Sequence, residues 1–231
     1  MSRGFVVAIV GAESTGKTTL AQGLAHTFDR PDRRAVQVGE YLREFCDREQ
    51  RTPRRGEQAG IAAEQTLRIE AAAASHAIVI ADTTALMTAV YSEWVFGDTS
   101  LHADAARAHR RCDLTLLTAL DLAWTPDGLQ RDGPQVREPI DARVRSALLR
   151  AGVAYAVVSG SGQARLQSAL RAVEHAIARN TARNTARTTA PTTALPAGEP
   201  ATPIEPGWAM VCERCGDPDC ERRLLARPGS D

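Results

Sequence analysis

Phe5-Val6-Val7-Ala8-Ile9-Val10, then Gly11-Ala12-Glu13-Ser14-Thr15-Gly16-Lys17-Thr18, then Thr19-Leu20-Ala21 and onward to Phe28, is the stretch that decides the fold. The middle part reads G-x-x-x-x-G-K-T. It stands between a short apolar run with β-branched residues and a helix-forming run, the strand–loop–helix setting that a phosphate-binding P-loop requires. Glycines let the backbone curl so that successive N–H groups turn inward on an anion. The following helix presents its positive end to the same place. Gly11 through Thr19 are therefore the expected nucleotide cradle. Lys17 is expected to reach the outer phosphates, and the Thr18 hydroxyl to hold Mg²⁺. The loop implies nucleoside triphosphate binding and leaves the acceptor of the phosphate open.

Working outward, the chain alternates. Apolar runs at 35–38, 77–81, 113–117 and 153–158 read as further strands, and runs at 57–76, 86–96, 101–111, 139–151 and 163–179 as helices, with another opening at Glu40. Short apolar strands separated by helices give an α/β fold with a parallel sheet. By analogy with P-loop kinases the expected strand order is 2-3-1-4-5. Ligands in such sheets sit beyond the carboxyl ends of the strands. Gly11, Glu40, Asp82 and Asp121 all fall just past strand ends, so four strands deliver polar groups to one edge.

Asp82 has the position of an aspartate that supports Mg²⁺, or equally of a helix N-cap. The next residue is Thr83, where motor-type ATPases usually place a water-activating glutamate; this points away from hydrolysis and towards transfer to a bound acceptor. Glu40 is either a base facing the acceptor or a solvated acid at a helix start. Arg43, one turn along, is placed to pair with phosphates or with Glu40. The segment 124–137 carries Gly128, Gly133, Arg131 and Arg137, the composition of a lid that excludes water and brings positive charge.

The chain of 231 residues holds 28 basic and 28 acidic side chains, and Lys17 is the only lysine. A zero balance asks for no nucleic acid and no anionic membrane as partner. No apolar run approaches the roughly 20 residues of a membrane span. The first residues lead directly into a strand, so a cytoplasmic protein is expected. Five cysteines in such a compartment argue against a disulfide framework. The expected organisation is a kinase domain over 1–179, a flexible low-complexity linker over 180–206, and a Cys-rich tail over 207–231. Cys212, Cys215 and Cys220 in that tail have metal-ligand spacing for Zn²⁺, with Asp217 or Asp219 as a local fourth ligand. The alternative is a set of reduced thiols.

Four of these stretches together resemble the ribosylnicotinamide kinase domain of bifunctional bacterial regulators of NAD biosynthesis. They are Gly11 to Thr18 with its Glu13-Ser14, Glu40-Tyr41-Leu42-Arg43-Glu44-Phe45, Ile80-Ala81-Asp82-Thr83, and Trp124-Thr125-Pro126-Asp127-Gly128-Leu129. The resemblance covers residues 5–178. It implies phosphorylation of nicotinamide riboside by ATP with Mg²⁺. Lys17, Glu40, Asp82, Arg131 and Arg137 would be catalytic, and Glu40, Tyr41, Arg43, Trp124 and Asp127 would face the substrate. Two positions depart from the family: Thr84 stands where an aspartate is frequent, and Gln130 where the lid arginine is usual, with Arg131 next to it. Another nucleoside as acceptor, or an ATP-binding regulatory module without transfer, are the alternatives.

Overall fold

Strand β1, Phe5–Val10, is buried along its whole length, as a continuous run of β-branched residues requires at the centre of a sheet covered on both faces. A computed structural model describes residues 3–125 and 133–189. The other strands are β2 (Ala35–Val38), β3 (Ile78–Asp82), β4 (Leu114–Thr118) and β5 (Ala156–Val158), all parallel, in the order β2-β3-β1-β4-β5. This is the expected topology. The register sets Ile9 beside Asp82 on one side and Leu116 on the other, so the active edge is level across the three central strands.

The two-residue alternation of β1 divides the core. Phe5, Val7 and Ile9 pack on helices α1 (Lys17–Phe28) and α7 (Gly162–Thr189) through Leu20, Leu24, Phe28, Leu170 and Val173. On the opposite face, Val10 meets Leu86 and Val90 of α4 (Ala85–Phe96) and Ile140 and Val144 of α6 (Arg137–Arg150). Val6, on that same face, meets Ile69 and Ala73 of α3 (Gln58–Ser75). Helices α2 (Tyr41–Glu49) and α5 (His102–His109) complete the layer on this side. Each buried aliphatic side chain of this kind stabilises the fold by roughly 1.5–3 kcal/mol before entropy is counted.

Three expectations need correction. The last helix runs to Thr189, so residues 180–189, read as the start of a linker, are helical. Ala and Arg keep the helix favourable there, and the Thr181 and Thr185 hydroxyls donate to carbonyls four residues back, at 3.0 Å each, so their polarity is absorbed locally. Strand β5 starts at Ala156 instead of Val153, because the Val153 N–H is taken by the Leu148 carbonyl at 3.0 Å. Helix α6 starts at Arg137, which brings that arginine into its first turn.

Candidate active site

The loop after β1 is shaped by what its glycines avoid. Gly11 has φ +146°, and a Cβ there would lie 2.2 Å from the Thr118 hydroxyl oxygen of β4. Thr15 and Thr118 hydroxyls are 2.7 Å apart in the same spot, and Thr15 also donates to the Ala12 carbonyl at 2.7 Å. Gly16 is left-handed at φ +75° and begins α1 without a side-chain cap, which keeps the first N–H groups of the helix for a ligand. Lys17 folds back so that Nζ donates to the Ala12 carbonyl at 2.7 Å. Thr15 and Glu13 are buried, while Thr19 is exposed.

Asp82 ends β3 and is 1% exposed. Burial pushes its carboxyl above the ordinary range, and the nearby Glu40 charge adds to that. The Thr18 hydroxyl, Lys17 and Arg43 pull the other way. Thr18, Lys17, Glu40 and Arg43 thus all act on the Asp82 carboxyl. Asp82 Oδ1 is buried without a hydrogen-bond partner. A buried carboxylate oxygen left open beside a threonine hydroxyl fits a hard divalent cation, so the residues present match the expected Mg²⁺ site.

Glu40 caps the start of α2, and its carboxylate accepts from Arg43 Nε at 2.9 Å. Sequence reasoning did not find what holds this turn. Gln65 of α3, 2% exposed, accepts the Tyr41 N–H at 2.7 Å and donates to the Gly39 carbonyl at 3.2 Å. It pins the backbone on both sides of Glu40. Around Tyr41, Arg68 lies 4.4 Å over its ring, Arg48 bonds its hydroxyl, and it packs on the Phe45, Cys46 and Ile61 cluster.

The segment after β4 is tied to the cradle at two points. The Ser14 hydroxyl, on a residue at φ +56°, donates to the Thr125 carbonyl and accepts the Thr125 N–H, both at 2.9 Å. Trp124 beside it has a buried Nε1 without a partner. Arg165 of α7, 4% exposed, donates to Asp121 Oδ1 at 2.7 Å, to the Gly160 carbonyl at 2.8 Å, to the Thr15 carbonyl at 2.9 Å and to the Ala119 carbonyl at 3.3 Å. Burial pushes the Asp121 carboxyl up, and the Arg165 guanidinium and Gly160 N–H outweigh it, so the group sits below its ordinary range. Arg165 is a second residue the sequence did not single out.

Arg137 is 9% exposed, and its Nε and Nη2 have no partner, an expensive state for a guanidinium unless an anion completes it. Asp127 and Arg131 lie outside the described residues, as do Cys212, Cys215 and Cys220. Among the described residues no group of three His, Cys, Asp or Glu side chains is placed to hold a metal ion. None of the described helices is long and apolar enough to cross a membrane. Burial pushes the Cys112 thiol up to about 12, which leaves it inert at neutral pH.

A family model described as AAA domain matches residues 6–165. Among solved structures, the chain is similar to the NadR protein in complex with NAD and AMP-PNP, at 23% identity and a TM-score of 0.61, over 74% of this chain and 49% of that one. It is similar to the NadR protein in complex with NR at 23% identity and a TM-score of 0.60, over 74% of this chain and 50% of the other. Thymidylate kinase from Ehrlichia chaffeensis shares 13% identity at a TM-score of 0.53, over 74% of this chain and 100% of its own. The chain thus spans about half the length of the two NadR chains. These likenesses establish the P-loop kinase fold that the four motifs led us to expect. No curated protein matches the chain.

Proposed function

We propose that this chain, which belongs to the AAA domain family, transfers the γ-phosphoryl group of ATP to the 5′-hydroxyl of a nucleoside, nicotinamide riboside. The observation that carries the reading is a pair of carboxylates at neighbouring strand ends: β2 and β3 pair Val38 with Ala81, so Glu40 and Asp82 follow side by side, and the Glu40 charge helps to raise the Asp82 carboxyl. One is buried, with an oxygen open to a cation; the other sits at the rim, where its side chain is 14% exposed. Transfer to an alcohol uses one such group for the cation and one for the attacking hydroxyl, and Thr83 stands where motor-type ATPases place a water-activating glutamate.

In this mechanism the loop N–H groups and the start of α1 bind the phosphates. Lys17 leaves the Ala12 carbonyl for the bridging and γ oxygens, where charge develops. Thr18 and Asp82 would hold Mg²⁺, which would neutralise phosphate charge there. Glu40, oriented by Arg43 and by Gln65 through the backbone, accepts the proton of the attacking hydroxyl as the new P–O bond forms and the bond to ADP breaks. Arg137, a buried cation without a partner, offers its guanidinium to the transferring group. Trp124 supplies an aromatic face with a free N–H for the nicotinamide or ribose end.

Purified protein incubated with ATP, Mg²⁺ and a panel of ribosides, with mass detection of products, tests the reading. Nicotinamide mononucleotide should dominate. A different phosphorylated nucleoside would keep the chemistry and change the acceptor. Zinc at Cys212, Cys215 and Cys220 is a separate proposal carried by their spacing alone, and elemental analysis of untagged protein tests it.

A further inference from the structure

Thr83, between Asp82 and α4, is a β-branched residue at φ +71° and is 4% exposed. Such a residue rarely adopts this conformation, and it persists only where the surroundings impose it. Two restraints flank it. On one side the Thr83 N–H donates to the Ile9 carbonyl of β1 at 3.0 Å. On the other, Thr84 caps α4: its hydroxyl oxygen accepts the Leu86 N–H at 3.3 Å and lies 2.8 Å from His109 Nδ1. His109, at the end of α5 and 1% exposed, reaches Thr115 of β4 with Nε2 at 2.9 Å.

The donors and acceptors fit one arrangement. In it Thr84 accepts the Leu86 N–H and gives its own proton to Nδ1, and Nε2–H donates to Thr115. A protonated ring would carry a hydrogen at both nitrogens and reverse the direction of the Thr84 bond. Burial holds the imidazole pKa down at about 4, in agreement with that neutral form. A buried histidine joined only to two threonines has no direct path to a substrate. Its one functional neighbour is the turn that aims Asp82, whose Oδ1 has no partner.

We infer that His109 is a positioning residue for the metal-bound nucleotide: through Thr84 it holds the strained Asp82-Thr83-Thr84 turn that aims the Asp82 carboxylate. The inference rests on the kinase reading for the presence of Mg²⁺, and it goes beyond that reading by adding a residue more than 20 positions away in sequence that touches neither metal nor nucleotide.

The two nitrogens separate the roles. In His109→Asn the amide oxygen falls where Nδ1 was and keeps the Thr84 bond. In His109→Gln the amide reaches the Nε2 position and keeps Thr115. His109→Leu keeps neither. The readout is Mn²⁺ affinity in the presence of a non-hydrolysable ATP analogue, followed by the signal of the free ion, with metal-free analogue affinity by calorimetry beside it. Loss of an outer-shell partner costs a metal site roughly tenfold or more. We expect that loss in His109→Leu and His109→Gln, near-normal Mn²⁺ affinity in His109→Asn, and unchanged metal-free binding in all three. Should the leucine variant not fold, Thr84→Val replaces it with the same expectation. Normal Mn²⁺ affinity in the leucine variant, or a pattern in which only the glutamine variant is normal, would overturn the inference. Wild-type protein that binds no metal-loaded nucleotide would instead overturn the kinase reading beneath it.

Discussion

The guanidinium of Arg165 donates to the backbone carbonyl of Thr15 at 2.9 Å, across 150 positions of sequence. It therefore joins the last helix to the phosphate loop, and through Asp121 and the Gly160 carbonyl it joins both to the ends of β4 and β5. Arg165→Met should remove these bonds and the one to the Ala119 carbonyl, and leave three carbonyls and a carboxylate short of a donor. The Asp121 side chain is 35% exposed, so water recovers part of the loss. The expected destabilisation is about 2 kcal/mol, with a higher KM for ATP and a smaller change in kcat. Denaturant unfolding and steady-state kinetics measure both; an unchanged midpoint and unchanged KM would show that the loop holds itself.

Lys17→Ala should stop phosphoryl transfer without unfolding the chain. In the free protein its ammonium donates to the local Ala12 carbonyl, and in the transition state it faces developing charge. The expected fall in kcat is at least about a hundredfold. Near-normal turnover in folded variant protein would remove Lys17 from the mechanism.

Glu40→Gln and Asp82→Asn should fail differently. The first should lower kcat by roughly a hundredfold to ten-thousandfold, with little change in ATP affinity, as loss of a general base does. The second should raise the Mg²⁺ concentration needed for half-maximal rate. If the glutamine variant turns over normally and the asparagine variant is dead at saturating Mg²⁺, the base is Asp82.

The buried His109 also sets an acid limit on stability. Its pKa is about 4 in the fold, against about 6.5 when unfolded, so the unfolded chain binds the extra proton between those values. Stability from this group is complete above pH 6.5 and declines as pH falls towards 4. From pH 7 to pH 5 the expected loss is about 2 kcal/mol. The carboxylates of Glu57 and Asp98, held down at about 2, are ionised in both states over most of this window and contribute little to the slope. Unfolding free energies of wild type and His109→Leu at the two pH values give the check: the variant should show a flatter dependence, and equal slopes would assign the acid sensitivity elsewhere.

How much of this was legible in the sequence follows from the range of the forces involved. The phosphate loop was fully legible because strand, glycines, lysine and helix are contiguous, and the strand order came with it. Glu40 and Asp82 were legible as strand-end acids, since parallel strands carry such residues to one edge. Gln65, His109 and Arg165 were not. Each lies within an ordinary helical stretch and acquires its role only when packing brings it beside a turn 25 to 150 positions away. The contacts that Tyr41 makes with Arg68 and the Phe45 cluster were hidden for the same reason. Residues 180–189 looked like a linker because small polar residues repeat there, yet alanine and arginine sustain a helix that already has a start.

The most direct test of the central claim follows the fate of the γ-phosphoryl group. Protein, Mg²⁺, nicotinamide riboside and ATP labelled with oxygen-18 in the γ-phosphate are mixed, and the products are separated by mass. The account predicts one labelled nicotinamide mononucleotide for each ADP formed, with the label on its 5′-phosphate. Labelled inorganic phosphate appearing with ADP, and no phosphorylated nucleoside, would contradict it.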